Sequence, residues 1–285
     1  MTEKSRGEAG ENPLVPNAKL RALYATMLEA RRLEEAVAAR TRGTRKKPAS
    51  IRGQEAVRAS SLLQLGEDDL VSDTSPTPGM ALIMGADPIE TLKTFSASKA
   101  QPPKLSRLLP AVEEIEQRME LALGSALALK AQQRQGVVAV FIPHGSLSHA
   151  AYRRLLKPAA KLELPAIFIV LPRSTGKGDS EAVIARVSGR SGVPGIPVDA
   201  ADSVALYRVV QESLGRTRGG DGPVLIECIR WKETGPKVSA SPSDPIDHLQ
   251  IFMTGRKIAT PGWFKKAESK AARRLQRKRK ASKKT

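Results

Sequence analysis

GVVAVFIPHGSLSHAAYRRLLKPAAKLELPAIFIVLPRST, residues 136–175, decides the fold. It opens on the apolar run Val137-Val138-Ala139-Val140-Phe141-Ile142 and closes on Ala166-Ile167-Phe168-Ile169-Val170-Leu171. Each run is short, rich in β-branched residues and almost free of polar interruption, the pattern of a strand buried on both faces. Leu147 to Leu162 between them has helical composition and length. Strand, helix and strand make a βαβ crossover, and such crossovers build parallel sheets. The fold class expected is therefore α/β, a parallel sheet flanked by helices. Open parallel sheets take ligands at the carboxyl ends of their strands. Here those ends carry Pro143-His144-Gly145-Ser146 and Pro172-Arg173-Ser174-Thr175.

Working outward, 285 residues suit one substantial α/β domain with extensions. No apolar run reaches the roughly 18 residues that a membrane span needs. The polar start, MTEKSRGEAGENPLVP, has no apolar core of a secretory signal. Cys228 is the single cysteine, so no internal disulfide forms, and a reducing cytoplasm is the expected location. The net charge of +18 is unevenly placed. Lys265 to Thr285 holds eleven Lys or Arg against Glu268 alone, more than half of the excess. A run such as Arg273-Arg274 with Arg277-Lys278-Arg279-Lys280 suits contact with nucleic acid or an anionic surface along Lys265–Lys284. Against that reading, no aromatic residue follows Phe264 to stack on bases, and a solvated, partly helical terminus accounts for the same charges.

The division expected is a disordered stretch 1–16, a domain 17–264 and a basic tail 265–285. Asn17 stands as an N-cap for a helix from Ala18 to about Arg42, with Leu20, Leu23, Tyr24, Met27, Leu28, Ala30 and Leu33 as its core stripe. Helices are expected from Gly53 to about Leu65, Pro88 to about Ser96, Ala111 to about Gln133, Ser203 to Arg218, Asp244 to Met253 and Trp263 to Lys280. Strands are expected at Leu70-Val71, Val198-Asp199 and Pro223–Trp231. Pro76-Thr77-Pro78-Gly79 reads as a turn, and Gly176–Gly195 as a mobile loop.

Several segments together resemble the α subunit of thiamine-diphosphate-dependent 2-oxo acid dehydrogenases, the E1 component of the pyruvate and branched-chain type. They are Leu23 to Glu35 (LYATMLEARRLEE), Gly53-Gln54-Glu55-Ala56, Leu121 to Lys130 (LALGSALALK), Val193 to Leu206 (VPGIPVDAADSVAL), Gly222 to Ile229 (GPVLIECI) and Asp244-Pro245-Ile246. The resemblance spans about residues 17–264. It implies a thiamine-diphosphate-binding fold, oxidative decarboxylation of a 2-oxo acid with acyl transfer to a lipoyl group, and thiamine diphosphate and Mg²⁺ as cofactors. It also implies a β-type partner (E1β-like) in an α₂β₂ assembly.

The family's metal signature is Gly-Asp-Gly followed, about thirty residues on, by Asn-Asn. Asp and Asn oxygens are hard ligands for Mg²⁺. In this chain Pro143-His144-Gly145 falls at the first position and Pro172-Arg173 at the second, so these five are the cofactor-binding positions with their residues substituted. Imidazole is a poor Mg²⁺ ligand, and proline removes a backbone donor. The family residues that reach the phosphates fall near Thr74, Ser75 and Thr77. Glu113, Glu114 and Glu116 stand where small residues belong, Arg154 replaces an acidic residue, and the later His-bearing loop is Gly235–Ser239, without His. The resemblance therefore implies an E1 α-like subunit whose metal–diphosphate site is lost, a partner-binding or regulatory homologue. The alternatives are a working subunit whose site a β-type partner completes, and a nucleic-acid-associated protein acting through its tail.

Other residues carry less. Arg173 with Lys177 and Arg190 offers a metal-free anion site. His144 and His149 lack a companion carboxylate or Cys for a metal. Ser146 sits in H-G-S-L-S, which is not a G-x-S-x-G elbow. Gly176-Lys177-Gly178 lacks the first glycine of a phosphate loop, and Cys228 belongs to a buried strand. No residue is assigned as catalytic.

Overall fold

The computed structural model describes residues 11–43, 49–74, 76–97, 105–173, 179, 181–231 and 244–276. Its centre is a five-stranded, wholly parallel sheet in the order β1-β2-β3-β5-β4. The strands are β1 (Leu70–Ser72), β2 (Val138–Ile142), β3 (Ala166–Val170), β4 (Gly195–Asp199) and β5 (Val224–Ile229). The βαβ unit read from the sequence is β2, α6 (His149–Lys161) and β3, with Val138 to Ile142 in register with Ala166 to Val170. The α/β class and the parallel sheet flanked by helices are as the sequence implies.

Alternate residues of each central strand enter different cores. Val138, Val140 and Ile142, with Ala166, Phe168 and Val170, pack against α5 (Ile115–Ala131), α6 and α7 (Val183–Gly189). Phe141, Ile167 and Ile169 face α1 (Asn17–Arg40), α2 (Glu55–Leu62), α8 (Ser203–Arg218) and α9 (Pro245–Gly255). A strand apolar on both sides thus reflects two apolar layers. The remaining helices are α3 (Pro78–Ile83), α4 (Pro88–Ser96) and α10 (Pro261–Gln276). Among the described residues no helix is long and apolar enough to cross a membrane.

Several boundaries differ from the expectation. α1 begins at Asn17 itself, with Pro16 at the N-cap and no side-chain cap. Asn17 instead accepts from the Asn12 N–H at 3.2 Å. Residues 11–16 form a turn in which the Asn12 carboxamide accepts from Leu14 and Val15, and Val15 is fully buried, so this part of the 1–16 stretch is packed. Pro78, read as part of a turn, opens α3 because proline is tolerated at a first helical position, where the Thr77 hydroxyl caps Met80 N–H at 3.1 Å. The stretch read as a mobile loop contains α7, and Gly195 at its end opens β4. α7 lacks a cap of its own. The buried Glu227 of β5 supplies one, accepting from Ile184 N at 3.2 Å and Ala185 N at 2.7 Å.

The boundary drawn at 264/265 falls inside α10. Tyr24, Trp263 and Phe264 form an aromatic triad with ring centroids 5.0–5.7 Å apart, which seats α10 on α1. Ala271 is buried, and Arg274 pairs with Glu29 of α1. Residues 265–276 are therefore part of the folded body, and 277–285 lie outside the described residues.

Candidate functional site

The carboxyl ends of β2 and β3 bring the two predicted turns side by side, with Leu171 N donating to Ile142 O at 2.8 Å. The first turn closes on itself: Ser146 N–H and Oγ–H both donate to Pro143 O, at 3.2 and 2.7 Å. Gly145 takes a positive φ of 75°, the left-handed backbone that glycine adopts without strain. His144 is half-buried, while His149 is exposed on the first turn of α6, which Ser148 caps. In the second turn Pro172 is buried. Arg173 is exposed and donates to Asp179 at 2.7 Å.

Mg²⁺ needs hard oxygen ligands in near-octahedral order. Pro143, His144, Gly145, Pro172 and Arg173 bring no carboxylate or carboxamide to the two turns. The Ser146 hydroxyl is committed to Pro143. Among the described residues no three His, Cys, Asp or Glu cluster as a metal site. The residues present at these turns do not suit a metal-bridged diphosphate.

The other predicted groupings separate. Arg190 follows α7 just before Gly192, whose place for a side chain is taken up by Ala160 near the end of α6. It therefore lies at the amino edge of the sheet, opposite Arg173, and the two do not share a site. Lys177, Ser174 and Thr175 lie outside the described residues, as do Ser75 and Gly235–Ser239. Thr77 is spent on its helix cap, and Thr74 N donates to Asp73 at 2.8 Å. Glu116 is not a free anion: Arg154 reaches across from α6 to Glu116 and, at 3.1 Å, to Glu120. The acid expected on α6 and the small residue expected on α5 have become this interhelical pair. Cys228 is buried, and desolvation pushes its thiol pKa well up, which keeps it a packing residue.

The matched segments are tied to one another by ion pairs. Arg31 of α1 donates to Glu55 of α2 at 2.7 Å and to Asp244, the N-cap of α9, at 2.6 Å. Glu55 is fully buried and also accepts from Gly53 N at 2.7 Å. Burial raises its pKa, with Arg31 the largest opposing influence. Glu34 of α1 is also buried. It accepts from Ile51 N at 3.0 Å, Gly79 N at 3.2 Å and the Ser50 hydroxyl, binding α1 to the chain before α2 and to α3. Residues quoted for their family resemblance thus serve as struts.

Two buried arginines went unnoticed in the sequence. Arg58 of α2 pairs with Asp73, which follows β1, and its Cζ lies 4.2 Å from the Phe141 ring centroid. Arg118 of α5 has no exposure and donates through Nη1 to Phe141 O at 3.0 Å. They approach the end of β2 from opposite faces of the sheet. A signal was present: Arg118 lies on the helical stripe of Met119, Ala122, Ala126 and Leu129, where an inward cation is out of place.

Comparison with known proteins agrees with the architecture. The profile of the family described as dehydrogenase E1 component matches residues 24–244. The α subunit of 3-methyl-2-oxobutanoate dehydrogenase from Mycobacterium tuberculosis is 27% identical over 237 residues, 79% of this chain and 64% of its own. The α subunit of acetoin:2,6-dichlorophenolindophenol oxidoreductase from Bacillus subtilis is 32% identical over 123 residues, 40% of this chain and 36% of its own. The α subunit of the pyruvate dehydrogenase E1 component from Acholeplasma laidlawii is 28% identical over 170 residues, 58% of this chain and 47% of its own. The chain thus spans between about a third and two thirds of these relatives' length. A parallel sheet of this kind, with a family profile matched across most of the chain, makes this protein a member of the dehydrogenase E1 component family.

Proposed function

We propose that this chain is an α-type subunit of a 2-oxo acid dehydrogenase assembly that has lost its own metal–diphosphate site and acts as a partner-binding or regulatory homologue. The observation that carries the reading is the pair of strand-end turns, where Pro143, His144, Gly145, Pro172 and Arg173 bring no side-chain oxygen for a metal. Thiamine diphosphate and Mg²⁺ belong to the reading as the family's cofactors, and binding by this chain alone is not expected.

An exposed face supports the partner. α5 carries Leu121 and Leu127 at 37% and 46% exposure, and between them Gly124, where an added Cβ would meet open space. A second helix could approach that small-residue gap closely, which suits a β-type subunit better than water does. The relatives' names call each of them a subunit alpha, one component of a larger enzyme.

Calorimetric titration with thiamine diphosphate and Mg²⁺ tests the reading, run on the chain alone and with the β-type protein that co-purifies from its native cell. No saturable heat in the first case, with stable co-elution in the second, is expected. Saturable, metal-dependent binding by the chain alone would overturn the loss of the site. Binding that appears only with the β-type protein would favour a working subunit completed by its partner.

A further inference from the structure

Among the described residues, the buried Arg118 and Arg58 carry more positive charge than the one carboxylate paired with them, Asp73, balances. Arg118 spends Nη1 on the Phe141 carbonyl, but its Nε and Nη2 are buried without a partner among the described residues. These two N–H groups form the side-on edge of the guanidinium, whose parallel donors match two oxygens of a carboxylate or phosphate. Arg58 is 4% exposed and spends Nη1 on Asp73, while its Nε is also buried and unpartnered. One carboxylate therefore serves two guanidiniums. Burial, with the nearby Arg58 charge adding to it, lowers the Arg118 pKa, and Asp73 opposes that shift. A guanidinium nevertheless stays protonated in a protein. Buried donors are seldom left unused, and an unpaired buried charge is strongly penalised.

The cluster lies where an open parallel sheet takes ligands, at the carboxyl ends of β1 and β2. Asp73 follows β1 directly, and Phe141 is the penultimate residue of β2. We propose that Arg118 forms a metal-independent oxyanion site, with its Nε/Nη2 edge gripping two oxygens and the Arg58 guanidinium adding positive charge from the other face of the sheet. The ligand is one small phosphate or carboxylate group, because the fork is closed to solvent and excludes anything the size of a nucleotide. Thr74 and Gly145, which follow these strand ends along the chain, are exposed at the same edge. The site uses none of the residues of the two metal-turn positions and does not depend on a β-type partner.

The test titrates the full chain with inorganic phosphate and, separately, acetate in EDTA, with chloride holding the ionic strength constant. One saturable site per chain and a rising melting midpoint are expected. A stronger response to phosphate assigns a phosphoryl group, and a stronger one to acetate a carboxylate. Arg118→Lys keeps the charge and removes the fork, so it should weaken binding by roughly tenfold or more. Should that variant fail to fold, wild-type crystals soaked in selenate decide the matter, through one anomalous peak within hydrogen-bond distance of Arg118 Nε and Nη2. No saturable response beyond chloride, binding that needs a divalent metal, or selenate bound only elsewhere would overturn the proposal.

Discussion

Replacing Arg31 by methionine removes the strut between α1, α2 and α9 while keeping most of its apolar stem. Its partner Glu55 has no solvent exposure and would retain only backbone hydrogen bonds, from its own N–H and from Gly53 N–H. Breaking a buried ion pair from one side costs about 3–5 kcal/mol. The Arg31 side chain keeps 13% exposure, so the lower end, about 3 kcal/mol, is the expected loss near neutral pH. The loss should depend on pH. Burial already holds the Glu55 pKa above its ordinary value of 4.5, and without Arg31 it rises further. Between the unfolded and folded pKa values the native state binds more protons than the unfolded state, so stability falls as pH rises through the folded value. Every further tenfold gain in the carboxylate's proton affinity adds about 1.4 kcal/mol to the deficit seen above that range. Urea unfolding followed by far-UV circular dichroism at pH 5 and pH 7.5 measures it, and Glu55→Gln in the Arg31→Met background should recover part of the loss. A deficit below about 1 kcal/mol at pH 7.5, or one equal at both pH values, would show that Arg31 is not the partner that Glu55 depends on.

Other outcomes are as definite. Gly195→Ala would drive a methyl to 2.2 Å from Ala185 O, so strand β4 and α7 must part, at a cost of roughly 1–3 kcal/mol or more in chemical denaturation. Truncation after Gln276 should leave the melting midpoint unchanged, whereas truncation after Phe264 strips Ala271 and the Arg274–Glu29 pair from α1 and should lower it. If retention on polyanions survives the shorter truncation intact, residues 277–285 are not its determinant. Cys228 should resist a thiol reagent in the native protein and react fully once unfolded, because burial keeps the thiol protonated and closed off. His144→Asp with Arg173→Asn should not create Mg²⁺-dependent thiamine diphosphate binding, since Pro143 still lacks its N–H; saturable heat from that double variant would refute the reasoning.

The sheet was legible because β2 and β3 are buried on both faces and bounded by proline and glycine. α4 and α8 begin where the sequence reading starts them, at Pro88 and Ser203, and there Asp87 and Asp202 cap them with side-chain oxygens. What escaped was set by distant contacts. α7 reads as loop because its cap is Glu227, more than thirty residues on along the chain. α10 is legible as a helix, but its packing on α1 is not, because few apolar residues mark its inner face among many lysines and arginines. At the candidate site the substituted turns could be placed by counting from strand ends. Arg118 could have been singled out from its place on the apolar stripe of α5, whereas the burial of Arg58 shows itself only once α2 is packed on the sheet.

The docking of α1 also has a bearing on how the chain is made. Its aromatic partners and several of its polar ones come from the chain from α9 onward, and Arg21 of α1 donates to Ile258 O at 2.6 Å. About 220 residues separate the end of α1 from the start of α10, and at ribosomal rates of roughly 5–20 residues per second they take on the order of ten to forty seconds to emerge. For that interval the part of α1 around Tyr24 that faces α9 and α10 awaits its covering, while α2, α3 and α4 are already made. The nascent chain therefore carries an uncovered apolar strip through most of its synthesis, and keeping it apart from other chains falls to whatever chaperone meets it first.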